Sequence, residues 1–140
     1  STVESVMIKD VVTIHPDALL EEAAVLMRQH DIGCLVVTEG RKVVGIITQN
    51  DIFEAFIDLL GYYEEGSRYV IAVEDKPGVL ADLTGLFFDE MAQITNLAVY
   101  RKDAQTDVVI RARGVAPEVM KKLLNDHGYQ VTSVLTRCDK

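Results

Sequence analysis

Hydrophobic and polar positions repeat with helical and strand periods along the chain, and they divide it into two series of elements. The first series is strand, helix, strand, strand, helix, over residues 11–14, 18–30, 34–38, 42–48 and 50–60. Asp17 is the predicted cap of the first helix, and Gly61 is the predicted stop of the second. The paired strands are almost continuously apolar, which predicts a sheet covered on both faces.

The second series is strand, helix, strand, strand, helix, strand, over residues 68–74, 79–91, 94–101, 106–113, 117–127 and 129–137. Tyr69, Ile71 and Val73 alternate onto one face of its first strand. The apolar stripe of its first helix extends to Met91, and Pro117 suits the first turn of its second helix. This βαββαβ order is typical of the ferredoxin-like arrangement, so the predicted fold class is α+β.

Residues 61–67 read G-Y-Y-E-E-G-S and separate the two series. Glycines at both ends and acidic residues between them are typical of a short linker. We therefore predict one unit over residues 1–61, a linker over 62–67 and a second domain over 68–140.

The composition narrows the function classes. The chain has 140 residues, of which 49% are hydrophobic, and 14 basic against 22 acidic side chains give a net charge of −8. This balance argues against a general nucleic-acid binder, and no apolar run approaches the roughly 18 residues that span a bilayer. Cys34 and Cys138 make no disulfide framework, so we expect a cytoplasmic protein. A start at Ser1 rather than Met indicates processing or a piece of a longer protein.

Motifs for catalysis are missing from the sequence. It contains no phosphate loop, no dinucleotide fingerprint and no zinc-protease motif. Cys34 lies in an apolar strand, where we expect a buried side chain rather than a nucleophile. We therefore predict a protein that is not an enzyme, with no catalytic residues, no metal site and no required cofactor.

The first half resembles a CBS domain. Residues 11–16 read V-V-T-I-H-P, and residues 45–51 read G-I-I-T-Q-N-D after an apolar strand. The resemblance covers about residues 3–61 and implies that two such units pair sheet to sheet. It also implies that an adenosine compound such as AMP, ADP, ATP or S-adenosylmethionine binds between them as a regulatory ligand.

The resemblance assigns nucleotide-binding residues by position: Thr13, Ile14, Gly33, Cys34, Leu35, Thr48 and Asp51. Thr48 would reach phosphate or ribose, and Asp51 would accept from the ribose hydroxyls. The same two residues also fit a capping box, T-x-x-D, which needs no ligand. Both roles are compatible, because free N–H groups at a helix start also bind phosphate. Val36 stands where the family often has proline, which is a departure from the family pattern. Basic residues are scarce in this half, and this charge balance suits a weakly phosphorylated or cationic adenosine compound better than ATP.

A single unit of about 60 residues buries too little surface to be comfortable alone. Its partner would come from another chain or from a segment upstream of Ser1. We therefore expect a homodimer.

The second half resembles an ACT domain, because residues 74–80 read E-D-K-P-G-V-L between the first strand and the first helix. The resemblance implies that an amino acid binds between paired domains, with its carboxylate at the helix start. The effector-binding residues assigned in this way are Asp75, Pro77, Gly78, Val79, Leu80 and Asn96. The alternative is that Pro77 and Gly78 form only a turn and that the domain only dimerises.

Together the two halves look like the C-terminal part of acetoin-utilisation-type regulatory proteins, which carry two CBS units before the ACT domain. Only one CBS unit is visible here. The resulting hypothesis is a non-catalytic sensor that transmits ligand binding to an unidentified partner protein. The competing hypothesis is an assembly module that dimerises without a ligand.

Overall fold

Packing divides the chain into two compact units, with the division between Phe56 and Ile57. The computed structural model describes residues 11–137 of the 140. We expected the division at residue 61, after the second helix, whereas it lies inside that helix. Residues Ile57 to Leu60 therefore belong to the second unit.

The first unit contains a three-stranded sheet and two helices. Its elements are β1 (Thr13–Ile14), α1 (Leu20–His30), β2 (Cys34–Glu39), β3 (Lys42–Thr48) and the first part of α2 (Gln49–Leu60). The strand order is β1-β2-β3, with β1 parallel and β3 antiparallel to β2. The predicted order of elements is confirmed.

The start of α1 differs from the prediction that Asp17 caps it. The Asp17 N–H donates to His15 Nδ1 at 3.1 Å, which holds this residue in the turn before the helix. The Leu19 N–H donates to Glu22 Oε1 at 2.8 Å, and α1 begins directly afterwards. A side chain reaching back from the first turn therefore fixes the helix start.

Only one face of the first sheet is covered within residues 11–137, contrary to the expectation of two. Leu35 packs with α1 and α2 in a small core whose buried members are Ala23, Met27, Leu35 and Ile52. On β3, Val43 and Ile46 are 63% and 61% exposed. Cys34 is also exposed, so the expected burial of this side chain is wrong. Alternation explains it, because its neighbour Leu35 points into the core.

The second unit is a four-stranded antiparallel sheet with two helices. Its elements are β4 (Gly66–Val73), α3 (Val79–Asp89), β5 (Gln93–Lys102), β6 (Gln105–Arg113), α4 (Pro117–Asp126) and β7 (Gln130–Arg137). The strand order is β5-β6-β4-β7, so the expected βαββαβ chain order has the ferredoxin-like strand arrangement.

Both helices pack against one face of this sheet. The buried core joins the strands with α3 and α4: Tyr69, Ile71, Leu83, Leu86, Phe87, Val108, Ile110, Ala112, Met120 and Leu124. Met91, the predicted end of the α3 stripe, lies outside this core and is 84% exposed, and Leu80 in the first turn of α3 is 38% exposed. Met91 follows the helix with φ 59°, so its side chain leaves the helical register.

Gly61 ends α2 and allows a close approach within the second unit. Its φ is 81°, and its N–H donates to the Ile57 carbonyl at 3.1 Å. A Cβ at this position would overlap the amide oxygen of Asn96 and lie 2.9 Å from Arg111 Cδ. Backbone conformation and space therefore both require glycine.

We expect Gly61→Ala to lower the free energy of unfolding by about 2–4 kcal/mol, through left-handed backbone strain and overpacking against Asn96. Gly85→Ala is the control, because Gly85 lies within α3 and its Cβ would meet nothing within 4 Å. This control should stabilise the protein by about 0.5–1 kcal/mol. Urea unfolding measures both changes, and equal effects would contradict the prediction.

Candidate functional site

A reciprocal capping box fixes the start of α2 in the first unit. The Thr48 N–H donates to Asp51 Oδ2 at 2.8 Å, and the Asp51 N–H donates to Thr48 Oγ1 at 3.2 Å. The predicted T-x-x-D box is confirmed. The Gln49 N–H donates to the Gly33 carbonyl at 2.9 Å, which ties the helix start to the loop before β2.

Strand register brings several predicted nucleotide-binding residues to this end of the sheet. Thr13 pairs with Val36 across β1 and β2, and Cys34 pairs with Thr48 across β2 and β3. Because alternate residues share a face, Thr13, Cys34 and Thr48 all lie on the uncovered face. Gly33 and Asp51 adjoin them through the hydrogen bonds of the α2 start.

The two remaining predicted residues point the other way. Leu35 is 1% exposed and belongs to the core, and Ile14 packs against the same cluster. Their side chains are therefore not available to a ligand on the uncovered face, and only their backbone atoms remain. The sequence already implied part of this result, because adjacent residues of a strand, such as Cys34 and Leu35, cannot face the same side.

The loop before α3 forms an open cavity in the second unit. Asp75, Pro77, Gly78, Val79 and Leu80 all line it, and its volume is about 500 Å³. No side chain caps the start of α3, and its first-turn residues Val79, Leu80 and Ala81 line this cavity. Gly78 has φ 91°, and a Cβ there would meet nothing within 4 Å. The five predicted loop residues are thus brought together.

Arg101 belongs to the same cavity, and sequence reasoning missed it. Its Nε and Nη2 donate to Asp75 Oδ2 and Oδ1 at 2.6 and 3.4 Å. This hydrogen-bonded guanidinium lowers the pKa of the Asp75 carboxyl. The two residues are far apart in sequence, so only the sheet register could have revealed the pair.

Asn96 was predicted to bind the effector together with the loop residues, but it does not line their cavity. It pairs with Arg111 on β6, whose neighbours Ile110 and Ala112 point into the helix-covered core. Asn96 therefore lies on the opposite face of the sheet. Its Nδ2 donates to the Leu59 carbonyl at 2.9 Å, so its amide is engaged with the end of α2.

Within residues 11–137, no three His, Cys, Asp or Glu side chains are grouped closely enough to hold a metal ion. No helix in this range has both the length and the apolar character needed to cross a membrane. Cys138 lies outside the described residues.

The capping box predicts a measurable dependence of stability on Thr48. We expect Thr48→Ala to lower the free energy of unfolding by about 0.5–2 kcal/mol, because the Asp51 N–H loses its acceptor. Thr48→Ser keeps the hydroxyl and should retain most of the stability. If the two variants unfold alike, the hydroxyl has no capping role.

The same capping box determines the pH range in which Asp51 stabilises the fold. Hydrogen bonds from the Thr48 N–H and hydroxyl lower the pKa of Asp51 below its ordinary 3.8. Its stabilising contribution is therefore present above pH 3.8 and is lost as pH falls through the lower, folded-state pKa. In Thr48→Ala the hydroxyl is lost but the larger effect of the backbone N–H remains, so the pKa of Asp51 should rise only part of the way toward 3.8, which a carbon NMR titration of the carboxyl measures.

Comparison with known proteins finds a domain family that is similar to the first part of this chain. Residues 3–58 match the family model of the CBS domain. The inosine-5'-monophosphate dehydrogenase of Korarchaeum cryptofilum (strain OPF8) is 50% identical over 52 residues, 37% of this chain and 11% of that protein. The CBS domain-containing protein YhcV of Bacillus subtilis (strain 168) is 38% identical over 52 residues, 37% of each protein.

Among solved structures, protein BT0572 from Bacteroides thetaiotaomicron matches with a TM-score of 0.43 and 18% identity, over 51% of this chain and 47% of that chain. The chain spans between 11% and 37% of the length of the two relatives named above. Their shared segment is the CBS region, where the predicted motifs lie. Residues 3–58 of this chain are therefore a CBS domain.

Proposed function

We propose that this chain is a non-catalytic regulatory sensor that binds an adenosine-containing nucleotide between two paired CBS domains. CBS domain proteins are typically regulatory nucleotide-binding modules. The observation that carries the proposal is the placement of Thr13, Cys34 and Thr48 on one uncovered sheet face, beside the start of α2. Occupancy would be transmitted to a partner protein in the cytoplasm.

The chemistry of Asp51 suits a ribose. Its Oδ2 already accepts from the Thr48 N–H, and among the described residues Oδ1 has no hydrogen-bond donor. This carboxylate is ionised at neutral pH, as an ordinary aspartate is, and its lowered pKa extends the ionised range to lower pH, so it accepts and does not donate hydrogen bonds. Ribose hydroxyls can supply the donors that Oδ1 lacks.

The apolar face supports pairing of two copies. Val43, Val44 and Ile46 expose large apolar side chains on β3, next to the predicted nucleotide residues. Contiguous apolar surface of this kind marks interaction sites. A second copy of the same face would cover it and enclose the ligand between the sheets. The same surface also supports the competing function, an assembly module that pairs without a ligand.

Charge limits the class of nucleotide. Between residues 11 and 56, the basic side chains are Arg28, Arg41 and Lys42, against a larger number of acidic ones. A triphosphate would meet few compensating charges in this unit. AMP or the cationic S-adenosylmethionine therefore fits better than ATP.

The loop cavity of the second unit supports an amino-acid effector. Uncapped N–H groups at the start of α3 attract a carboxylate, and the paired Asp75 and Arg101 present both charges at the same cavity. An α-amino acid carries both complementary charges. We propose that this cavity binds a free amino acid, as ACT domains do.

Nucleotide binding is tested by calorimetry and thermal unfolding of the full chain with AMP, ADP, ATP and S-adenosylmethionine. Ligand at a hundredfold excess over its dissociation constant stabilises the folded form by about 2.7 kcal/mol. Asp51→Asn keeps an acceptor for the Thr48 N–H but removes the charge, and should lose this stabilisation. Asp58→Asn is the control, because Asp58 is an exposed carboxylate in the last turn of α2.

Ile46→Glu separates the sensor from the assembly module. The sensor predicts that this variant becomes monomeric in sedimentation and also loses nucleotide binding, whereas Val25→Glu on α1, also exposed, changes neither. The chain could instead form a dimer that binds none of the four compounds and that is disrupted by Ile46→Glu. This result would establish the assembly module and overturn the sensor.

Amino-acid binding is tested with Arg101→Gln. In this variant the pKa of Asp75 should rise toward 3.8, because its hydrogen-bonded guanidinium is gone. Any thermal shift given by one of the common amino acids should disappear. Lys122→Gln removes a comparable exposed ion pair, with Asp126 at 2.8 Å, and should leave the shift intact. If none of the amino acids shifts the thermal unfolding, the loop is only a structural turn and this proposal is wrong.

A further inference from the structure

Two arginines face each other on the face of the second sheet that α3 and α4 leave open, and the last residues of α2 lie on the same face. Arg68 on β4 pairs directly with Arg111 on β6. Side chains directly opposite in an antiparallel pair lie about 5 Å apart at Cβ, and like charges there are unfavourable. The Arg111 guanidinium is also partly buried. This arrangement needs a compensating negative charge.

Several other cations of the second unit have carboxylate partners. Arg101 pairs with Asp75, Lys122 with Asp126, and Arg113 with Glu64 at 4.0 Å. Within residues 11–137, no carboxylate lies within 4.0 Å of Arg68 or Arg111. In a chain with a net charge of −8, this uncompensated pair is not explained by a shortage of acidic residues.

Arg68 and Arg111 both line one small cavity within the second unit. Arg68, Arg111, Asn96 and Tyr100 supply its polar lining, and its volume is about 90 Å³. The remaining walls are apolar: Leu59, Leu60, Leu97, Ala98 and Val109. Apolar walls reduce solvent screening and strengthen the attraction of an anion to both arginines.

The surroundings of Arg111 favour an anion beside it. Burial lowers the pKa of this guanidinium, and the positive charges of Arg68 and Arg137 lower it further. The buried Asn96 Oδ1 has no hydrogen-bond partner among the described residues. A protonated oxyanion or an accompanying water could donate to this atom.

We propose that Arg68 and Arg111 bind one small oxyanion, a carboxylate or phosphate group, on the open face of the second sheet. Planar guanidinium groups match the spacing of carboxylate and phosphate oxygens. Sites for drug-sized ligands occupy about 300–1,000 Å³, so this cavity selects a single small group. The site is separate from the loop cavity and does not depend on the proposed nucleotide binding.

The test is an NMR titration of the full chain with inorganic phosphate and, separately, with acetate, at constant ionic strength set by chloride. The side-chain Nε–H signals of Arg68 and Arg111 should shift in a saturable manner. Arg68→Gln and Arg111→Gln should each weaken binding about tenfold or more, as expected when one charge-assisted hydrogen bond is lost. Arg113→Gln, which removes an arginine already paired with Glu64, should bind like the unmodified chain.

A stronger response to phosphate assigns the site to phosphate groups, and a stronger response to acetate assigns it to carboxylates. Shifts that do not saturate with either anion, or that persist unchanged in both Gln variants, would overturn the proposal. Arg111→Lys is a second variant in case Arg111→Gln fails to fold, because it keeps the positive charge and loses only the planar guanidinium group. It should retain weakened binding.

Discussion

The central position of β4 is the constraint on which the second unit depends. Hydrogen bonding to β6 on one side and β7 on the other fixes the register of the whole sheet. Tyr69 and Ile71 must then face α3 and α4, where both are fully buried. The same alternation sends Arg68 to the opposite face, where it meets Arg111. The core and the arginine pair are thus two results of one register.

The two units differ in how much apolar surface they bury. Within residues 11–137, ten buried residues join the sheet and helices of the second unit, whereas four form the core of the first. Small units bury a low fraction of their surface and gain little stability from it. The uncovered face of the first sheet exposes the apolar side chains of Val43, Val44 and Ile46, and it is also where Thr13, Cys34 and Thr48 lie. Pairing and ligand binding would therefore use one surface.

The candidate sites differ in the charges that they present to a ligand. At the loop before α3, Arg101 is already neutralised by Asp75, so the site offers both charges to a zwitterion. On the open sheet face, Arg68 and Arg111 offer only positive charge within apolar walls. At the start of α2, Asp51 offers a carboxylate whose pKa is lowered by its capping hydrogen bonds. Each site therefore suits a different ligand chemistry.

Local sequence signals determined the order of the elements and several of their ends. The T-x-x-D box, the helix stop at Gly61 and Pro117 in the first turn of α4 act between neighbouring residues, so they could be recognised without a fold. The order of all elements followed from periodicity, because helices and strands repeat apolar residues differently. The CBS motifs were equally local.

Only the tertiary structure decided which face each strand residue occupies and which distant residue it meets. Cys34 is exposed because its sheet is covered on one side, and Asn96 lies away from the loop because β5 pairs with β6 in a register that aligns it with Arg111. Register depends on every strand in the sheet, and a shift of one residue exchanges the two faces. No single segment of the sequence contains that information.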